Sequence, residues 1–352
     1  MNFQRYQRHY PVIGLEGQQK LSYFSICLVG CGGIGSPAAL YLAAAGIGRI
    51  GLVDFDQVAL SNLQRQIVFT EADIGKHKTE IAKEKLSALN SSIEIEAFCE
   101  RLSYKRALEI LSSYDLVIDG SDNYQTRFLL NDACCKLKKP LISASVLQTK
   151  AQLAFFDCQH FCYRCLYAAP PPDGMTPSCA EAGVIGATAG VIGTMAANMA
   201  INYALQKKIH KQLMIFDSET LSWQYFDFTQ QPDCPGCVKQ QYIPVTRISI
   251  DKVPEVSDFD SASLIIDVRE DWELQLAVLD REYIHIPLNK LLHNQFDQAV
   301  LSQHDKIVLL CKSGTRSQKA AKYLKDEGIE NVFSFKGGLK AYLAGKNKRL
   351  CY

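Results

Sequence analysis

Short aliphatic and β-branched runs, each closed by glycine or an acidic residue, alternate with helix-period stretches over the first part of the chain. Residues 25–29 (SICLV) predict a buried parallel strand ended by glycine. A glycine-rich turn (GCGGIG) and an alanine-rich helix through residue 45 follow it. Residues 49–54 (RIGLVD) predict a second strand, with further strands at 93–98, 116–119, 141–144 and 152–156. Amphipathic helices are expected at 78–89 and 127–137. Strands alternating with helices imply a doubly wound α/β domain of Rossmann type.

Residues 184–205 carry no Asp, Glu, Lys or Arg. Gly, Ala, Thr, Asn198 and Asn202 are as frequent there as large apolar side chains, so a buried soluble helix is expected rather than a membrane span. After Cys237 the pattern changes. Residues 238–256 mix polar side chains with two prolines and read as a linker. A second β/α series begins beyond it, with strands at 264–268, 307–310 and 332–335 and a helix at 317–327. The expected division is a first domain at 1–240, a linker at 241–257 and a smaller α/β domain at 258–352.

Composition narrows the function. With 47% hydrophobic and 21% charged residues, the 352-residue chain can bury real cores. Its 38 basic residues balance 37 acidic ones, which gives no electrostatic case for nucleic acid or a membrane surface as partner. The start, MNFQRYQRHYPVIG, has arginines but no apolar run, so no secretory leader is expected. Thirteen cysteines without an export signal point to a reducing cytoplasm and to metal-bound and reactive thiols.

Gly30, Gly32, Gly33 and Gly35 form Gly-x-Gly-x-x-Gly between a strand and a helix, a turn whose N–H groups can cradle a phosphate. Asp54, at the end of the next strand, stands where a carboxylate would hold ribose hydroxyls. These features alone also suit a dinucleotide enzyme. Beyond Asp54 come the polar Ser61 and Asn62 and the cations Arg65 and Lys78, groups suited to the charge that builds up at a reacting phosphate. Asp122 and Asn123 offer hard oxygen ligands for magnesium.

Cys162-x-x-Cys165 and Cys234-x-x-Cys237 are two knuckles about 70 residues apart. A single such pair could be redox-active, but two complete a closed tetrahedral thiolate shell for a structural zinc ion. Over these two thirds of the chain, GCGGIG, DFDQVALSNLQRQ, SDN, CYRC and CPGC resemble, in order and spacing, the sulfur-carrier adenylyltransferases of molybdopterin and thiamine biosynthesis, which are relatives of ubiquitin-activating enzymes. The resemblance implies ATP bound by Gly33, Asp54, Ser61, Asn62, Arg65, Lys78, Asp122 and Asn123. Asp54 would hold the ribose, Arg65 and Lys78 the phosphates, and Asp122 the magnesium. It also implies a homodimer in which Arg8 reaches the partner's ATP site. Cys179 matches a cysteine that can bond covalently to the activated carrier, although a buried structural cysteine reads equally well from the residues.

Cys311 opens the loop CKSGTRS between an apolar strand and a helix, where N–H groups and a helix N-terminus can stabilise an anionic sulfur. The loop and Asp267-Val268-Arg269-Glu270 resemble rhodanese sulfurtransferases. Four residues rather than five separate Cys311 from Arg316, and Leu310 precedes the cysteine, which argues against a cysteine phosphatase. The expected activity is ATP-dependent adenylation of the C-terminal glycine of a ubiquitin-like sulfur-carrier protein. Conversion to a thiocarboxylate by a Cys311 persulfide then follows, with a cysteine desulfurase or thiosulfate as sulfur donor. A different acceptor (a peptide or small acid) and a non-catalytic scaffold are the alternatives.

Overall fold

The computed structural model describes residues 4–170, 183–244, 253–301 and 304–346. These form two compact units that divide between residues 244 and 253. In the first, α1 (Tyr10–Tyr23) leads into β1 (Ser25–Val29), α2 (Gly35–Ala45), β2 (Arg49–Val53), α3 (Lys78–Leu89), β3 (Glu94–Phe98), α4 (Tyr104–Leu111), β4 (Leu116–Asp119) and α5 (Tyr124–Leu137). Then come β5 (Leu141–Leu147), β6 (Lys150–Phe156), the one-turn α6 (Tyr163–Leu166), α7 (Gly186–Ala204), β7 (Gln212–Asp217) and β8 (Ser222–Asp227). One sheet runs β3-β2-β1-β4-β5-β6-β7-β8. Its first five strands are parallel and its last three antiparallel.

β1 and β4 are buried at every residue because helices cover both faces of the parallel part. The order reverses beside β1, so the crevice at the carboxyl ends of β1, β2 and β4 is where a ligand is expected in such a sheet. The second strand ends at Val53 rather than at 54, since Asp54 leaves the ladder while its N–H still reaches Phe98 O at 3.2 Å. The uncharged stretch is α7, and its buried positions include Thr188, Ile192, Gly193, Ala196 and Ala200. A Cβ on Gly193 would lie 2.3 Å from Ile34 O, so glycine is what allows this helix to pack against the start of α2. Among the described residues, no helix is long and apolar enough to cross a membrane.

The second unit holds β9 (Glu255–Val256), β10 (Leu264–Asp267), α8 (Asp271–Leu276), β11 (Ile284–His285), α9 (Leu288–Leu292), β12 (Ile307–Leu310), α10 (Thr315–Asp326), β13 (Val332–Phe335) and α11 (Gly338–Gly345). Its sheet runs β11-β10-β12-β13-β9, all parallel.

The stretch read as a linker is anchored at both described ends. Tyr242 stacks flat on Tyr104 with ring centroids 4.0 Å apart, and Ile243 N donates to Asp132 Oδ2 at 3.2 Å. On the far side Val253 is buried in the second core, and Glu255 and Val256 pair with Ser334 and Phe335. Polar composition concealed a two-residue edge strand there.

Candidate functional site

The carboxyl ends of β1, β2 and β4 frame a cavity lined by Gly30, Gly32, Gly33, Asp54, Arg65, Lys78, Asp122 and Asn123. Gly30 has φ of 95°, and a Cβ there would lie 2.9 Å from Gly120 O. Gly35 stands behind the turn, where a Cβ would fall 1.9 Å from Gly30 O. Glycine at both points folds the chain tightly enough to aim the start of α2 into the cavity.

Asp54 accepts from Cys31 N at 2.8 Å through Oδ2 and from Asp56 N at 2.9 Å through Oδ1. Burial pushes its carboxyl above the usual carboxylate value, while the charge of Lys78 and the two N–H groups pull against that rise. Lys78 is buried and its Nζ contacts Asp56 Oδ2 at 3.0 Å, so it is pinned beside the cavity rather than free in solvent.

Ser61 and Asn62 do not line the cavity. Ser61 O accepts from Arg65 Nη1 at 2.9 Å, and Asn62 O accepts from Arg65 N at 3.1 Å. The two residues fold the turn that presents the Arg65 guanidinium. Asn123 caps α5, its side-chain oxygen accepting from Thr126 N at 2.8 Å, while exposed Asp122 faces the cavity without that duty. Arg8 is exposed and does not line this cavity.

Cys162, Cys165, Cys234 and Cys237 are buried, and their sulfurs all lie within 4.8 Å of one another. Cys162 and Cys234, and likewise Cys165 and Cys237, are 3.5 Å apart. A Cβ on Gly236 would press to 2.8 Å from Cys162 Sγ. Four converging sulfurs are the donor set of a closed tetrahedral zinc site. Burial holds the Cys237 thiol far above its usual value, with the charge of Cys162 adding to the effect, so a cation is what would make these thiolates stable together. The first knuckle is fixed from α5: Asn131 Oδ1 accepts from Tyr163 N at 2.7 Å. Arg164 meets Asp132 through two bonds of 2.6 and 2.8 Å, both residues being buried. Sequence reading missed this pair. A charge inside a C-x-x-C knuckle was its only trace.

In the second unit Cys311 is fully buried at the end of β12. Gly314 N donates to its Sγ at 3.1 Å, and Ser317 Oγ lies 3.5 Å from it. Gly314, with φ of 96°, caps α10, so the helix N-terminus faces the sulfur. A Cβ on Gly338 would lie 2.4 Å from Cys311 O, and Leu339 N donates to that oxygen at 2.7 Å, which seats the loop from below. Arg316 is held by Glu273 (Nη2 to Oε1, 2.7 Å), and buried Arg269 by Asp267 at 2.7 Å. Burial would raise the Glu273 carboxyl, but Arg316, the Glu270 N–H and the charge of Arg269 together hold the group below the ordinary value. Sequence reading named Arg316 and missed Glu273 as its partner. Cys179 lies outside the described residues.

The ThiF family matches residues 6–236, and the rhodanese-like domain matches residues 254–344. The chain is 36% identical to the adenylyltransferase and sulfurtransferase MOCS3 of Drosophila persimilis, covering 94% of this chain and 80% of that protein. A crystal structure of E. coli MccB with MccA-N7isoASN resembles it with a TM-score of 0.60 at 25% identity, covering 66% of this chain and 74% of that one. The same enzyme with ATP gives 0.57 at 25% identity over 66% and 73%.

Proposed function

Because the chain belongs to the ThiF family and also carries a rhodanese-like domain, we propose that it adenylates the C-terminal glycine of a ubiquitin-like sulfur carrier and then converts it to a thiocarboxylate. We assign the first step to residues 1–240 and the second to residues 258–352. The observation that carries this reading is one chain holding both a cavity with Asp54, Arg65, Lys78 and Asp122 and a loop with an N–H donor on the Cys311 sulfur. The similar MOCS3 proteins are named for both activities, and a similar MccB structure holds ATP.

A carboxylate is a poor electrophile. Its attack on the α-phosphorus of ATP expels pyrophosphate and yields an acyl adenylate with a good leaving group. Arg65 and Lys78 stabilise the charge that builds on the phosphates, and Asp54 holds the ribose. Asp122 would hold magnesium, which neutralises phosphate charge when bound. The outer sulfur of a Cys311 persulfide then attacks the acyl carbon and AMP leaves. The resulting acyl disulfide needs a second thiol to break its S–S bond and release the thiocarboxylate, and Cys179 is the candidate. In this reading the chain works as a homodimer in the cytoplasm, with Arg8 reaching the partner's cavity. Its exposure away from its own cavity supports that role. The sulfur donor is a cysteine desulfurase or thiosulfate, and the pathway is molybdopterin or thiamine biosynthesis.

Screening candidate carriers for ATP-dependent pyrophosphate exchange tests the reading. Exchange is expected with a carrier ending in glycine and not with the same carrier lacking that residue. Exchange driven by a peptide or small acid alone would redirect it to another acceptor.

A further inference from the structure

Among the described cysteines, Cys99 is the exposed one; the other ten are buried. It follows β3 at the carboxyl edge of the sheet, and its Sγ lies 3.0 Å from Nδ1 of His77, which is also exposed. The residues next in sequence to both partners belong to the nucleotide cavity. Lys78 follows His77, and Glu100 and Arg101 follow Cys99. Arg101 in turn sits 4.0 Å over the ring of Phe55, another residue of the cavity wall. A nucleophile and a base within hydrogen-bond reach, both open to solvent, thus stand next in sequence to residues of the cavity wall.

We propose that Cys99 and His77 form a thiol-modification site that accepts a mixed disulfide from a low-molecular-weight disulfide and thereby blocks the nucleotide cavity. The thiol proton passes to His77 Nδ1, and the Cys99 sulfur attacks one sulfur of the reagent RS–SR. The Cys99–S–S–R bond forms as the reagent's S–S bond breaks, and the departing RS⁻ takes the proton from His77. One sulfur of the reagent is reduced as Cys99 is oxidised, so nothing else is consumed. The adduct stands beside Glu100 and Arg101 and narrows the cavity. A thiol reductant reverses it. Modification needs only the thiol and the imidazole, whereas its effect on catalysis rests on the adenylation proposed above.

The test exposes the full zinc-loaded chain to oxidised glutathione. Peptide mapping follows each cysteine over time, Cys179 and Cys351 included, beside pyrophosphate exchange. Cys99 is expected to form the mixed disulfide ahead of the buried cysteines, and ATP should slow it. His77→Asn, which keeps a short polar side chain ahead of α3 but removes the base, should slow it at least about 10-fold. Exchange activity should fall with Cys99 occupancy and return with dithiothreitol, while Cys99→Ser should keep its activity through the same treatment. An unmodified Cys99, an equal rate in His77→Asn, or equal loss of exchange in Cys99→Ser would each overturn the proposal. Fast, His77-dependent labelling in a chain with no exchange activity would keep the modification site and reject the adenylation reading instead.

Discussion

The backbone N–H of Gly314 points at the sulfur of Cys311 across 3.1 Å, from a residue whose φ of 96° suits glycine. That donor and the N-terminus of α10 both face the sulfur, where they would stabilise negative charge that builds on it during transfer. Alanine at 314 would take on backbone strain of about 1–3 kcal/mol. If the loop shifts to relieve that strain and the N–H turns from the sulfur, sulfur transfer should slow by about 5-fold or more. Thiosulfate:cyanide transfer by Gly314→Ala measures it. An unchanged rate would remove the N–H from the mechanism.

Arg65→Ala and Asp122→Ala should each lower carrier-dependent pyrophosphate exchange about 100- to 1000-fold, because in the proposed reading Arg65 would meet the phosphates and Asp122 would hold the magnesium. Circular dichroism should match the wild type, since Asp122 is exposed and Arg65 only half-buried. Near-normal exchange in both would refute their placement.

One zinc ion per chain is expected on Cys162, Cys165, Cys234 and Cys237. Chelation should lower the melting temperature of the first unit, because metal binding and folding are coupled. Asp132→Ala should cost about 3–5 kcal/mol by leaving the buried Arg164 charge without its carboxylate. Denaturant melts of the zinc-loaded protein would show it. A loss under 1 kcal/mol would contradict the assigned role.

Glu273 sets a pH dependence. Its folded-state carboxyl is held below the ordinary 4.5, so the stabilisation is fully present above that value. It is lost as the pH falls through the lower folded-state value. The melting temperature of the wild type should therefore exceed that of Glu273→Gln at neutral pH, and the gap should narrow below about pH 4.5. A gap that is constant with pH would place the effect in packing rather than charge.

Much of this was legible in the chain because local chemistry forced it. The run at 25–29 could only be buried on both faces, and it is β1; the cysteine spacing brought four sulfurs together. What stayed hidden depends on residues distant in sequence. No local signal joins Asp132 to Arg164 or Glu273 to Arg316, separations of 32 and 43 residues. The strand Ser222–Asp227 was missed for another reason: β8 is largely exposed, so it lacks a buried-strand pattern. Ser61 and Asn62 were read as nucleotide ligands from residue type, which carries no sign that their backbone carbonyls also accept from Arg65.

The most direct measurement is the mass of a glycine-ended carrier protein after incubation with ATP, a sulfur donor and either wild-type enzyme or Cys311→Ala. The wild type should convert the carrier to its thiocarboxylate. Cys311→Ala should make none while keeping pyrophosphate exchange near the normal rate. Cys179→Ala should also keep exchange and still load sulfur on Cys311, but stall before thiocarboxylate release. Normal thiocarboxylate from Cys179→Ala would make that cysteine structural. Thiocarboxylate formed by Cys311→Ala, or exchange lost with it, would contradict the division of adenylation and sulfur transfer between the two units.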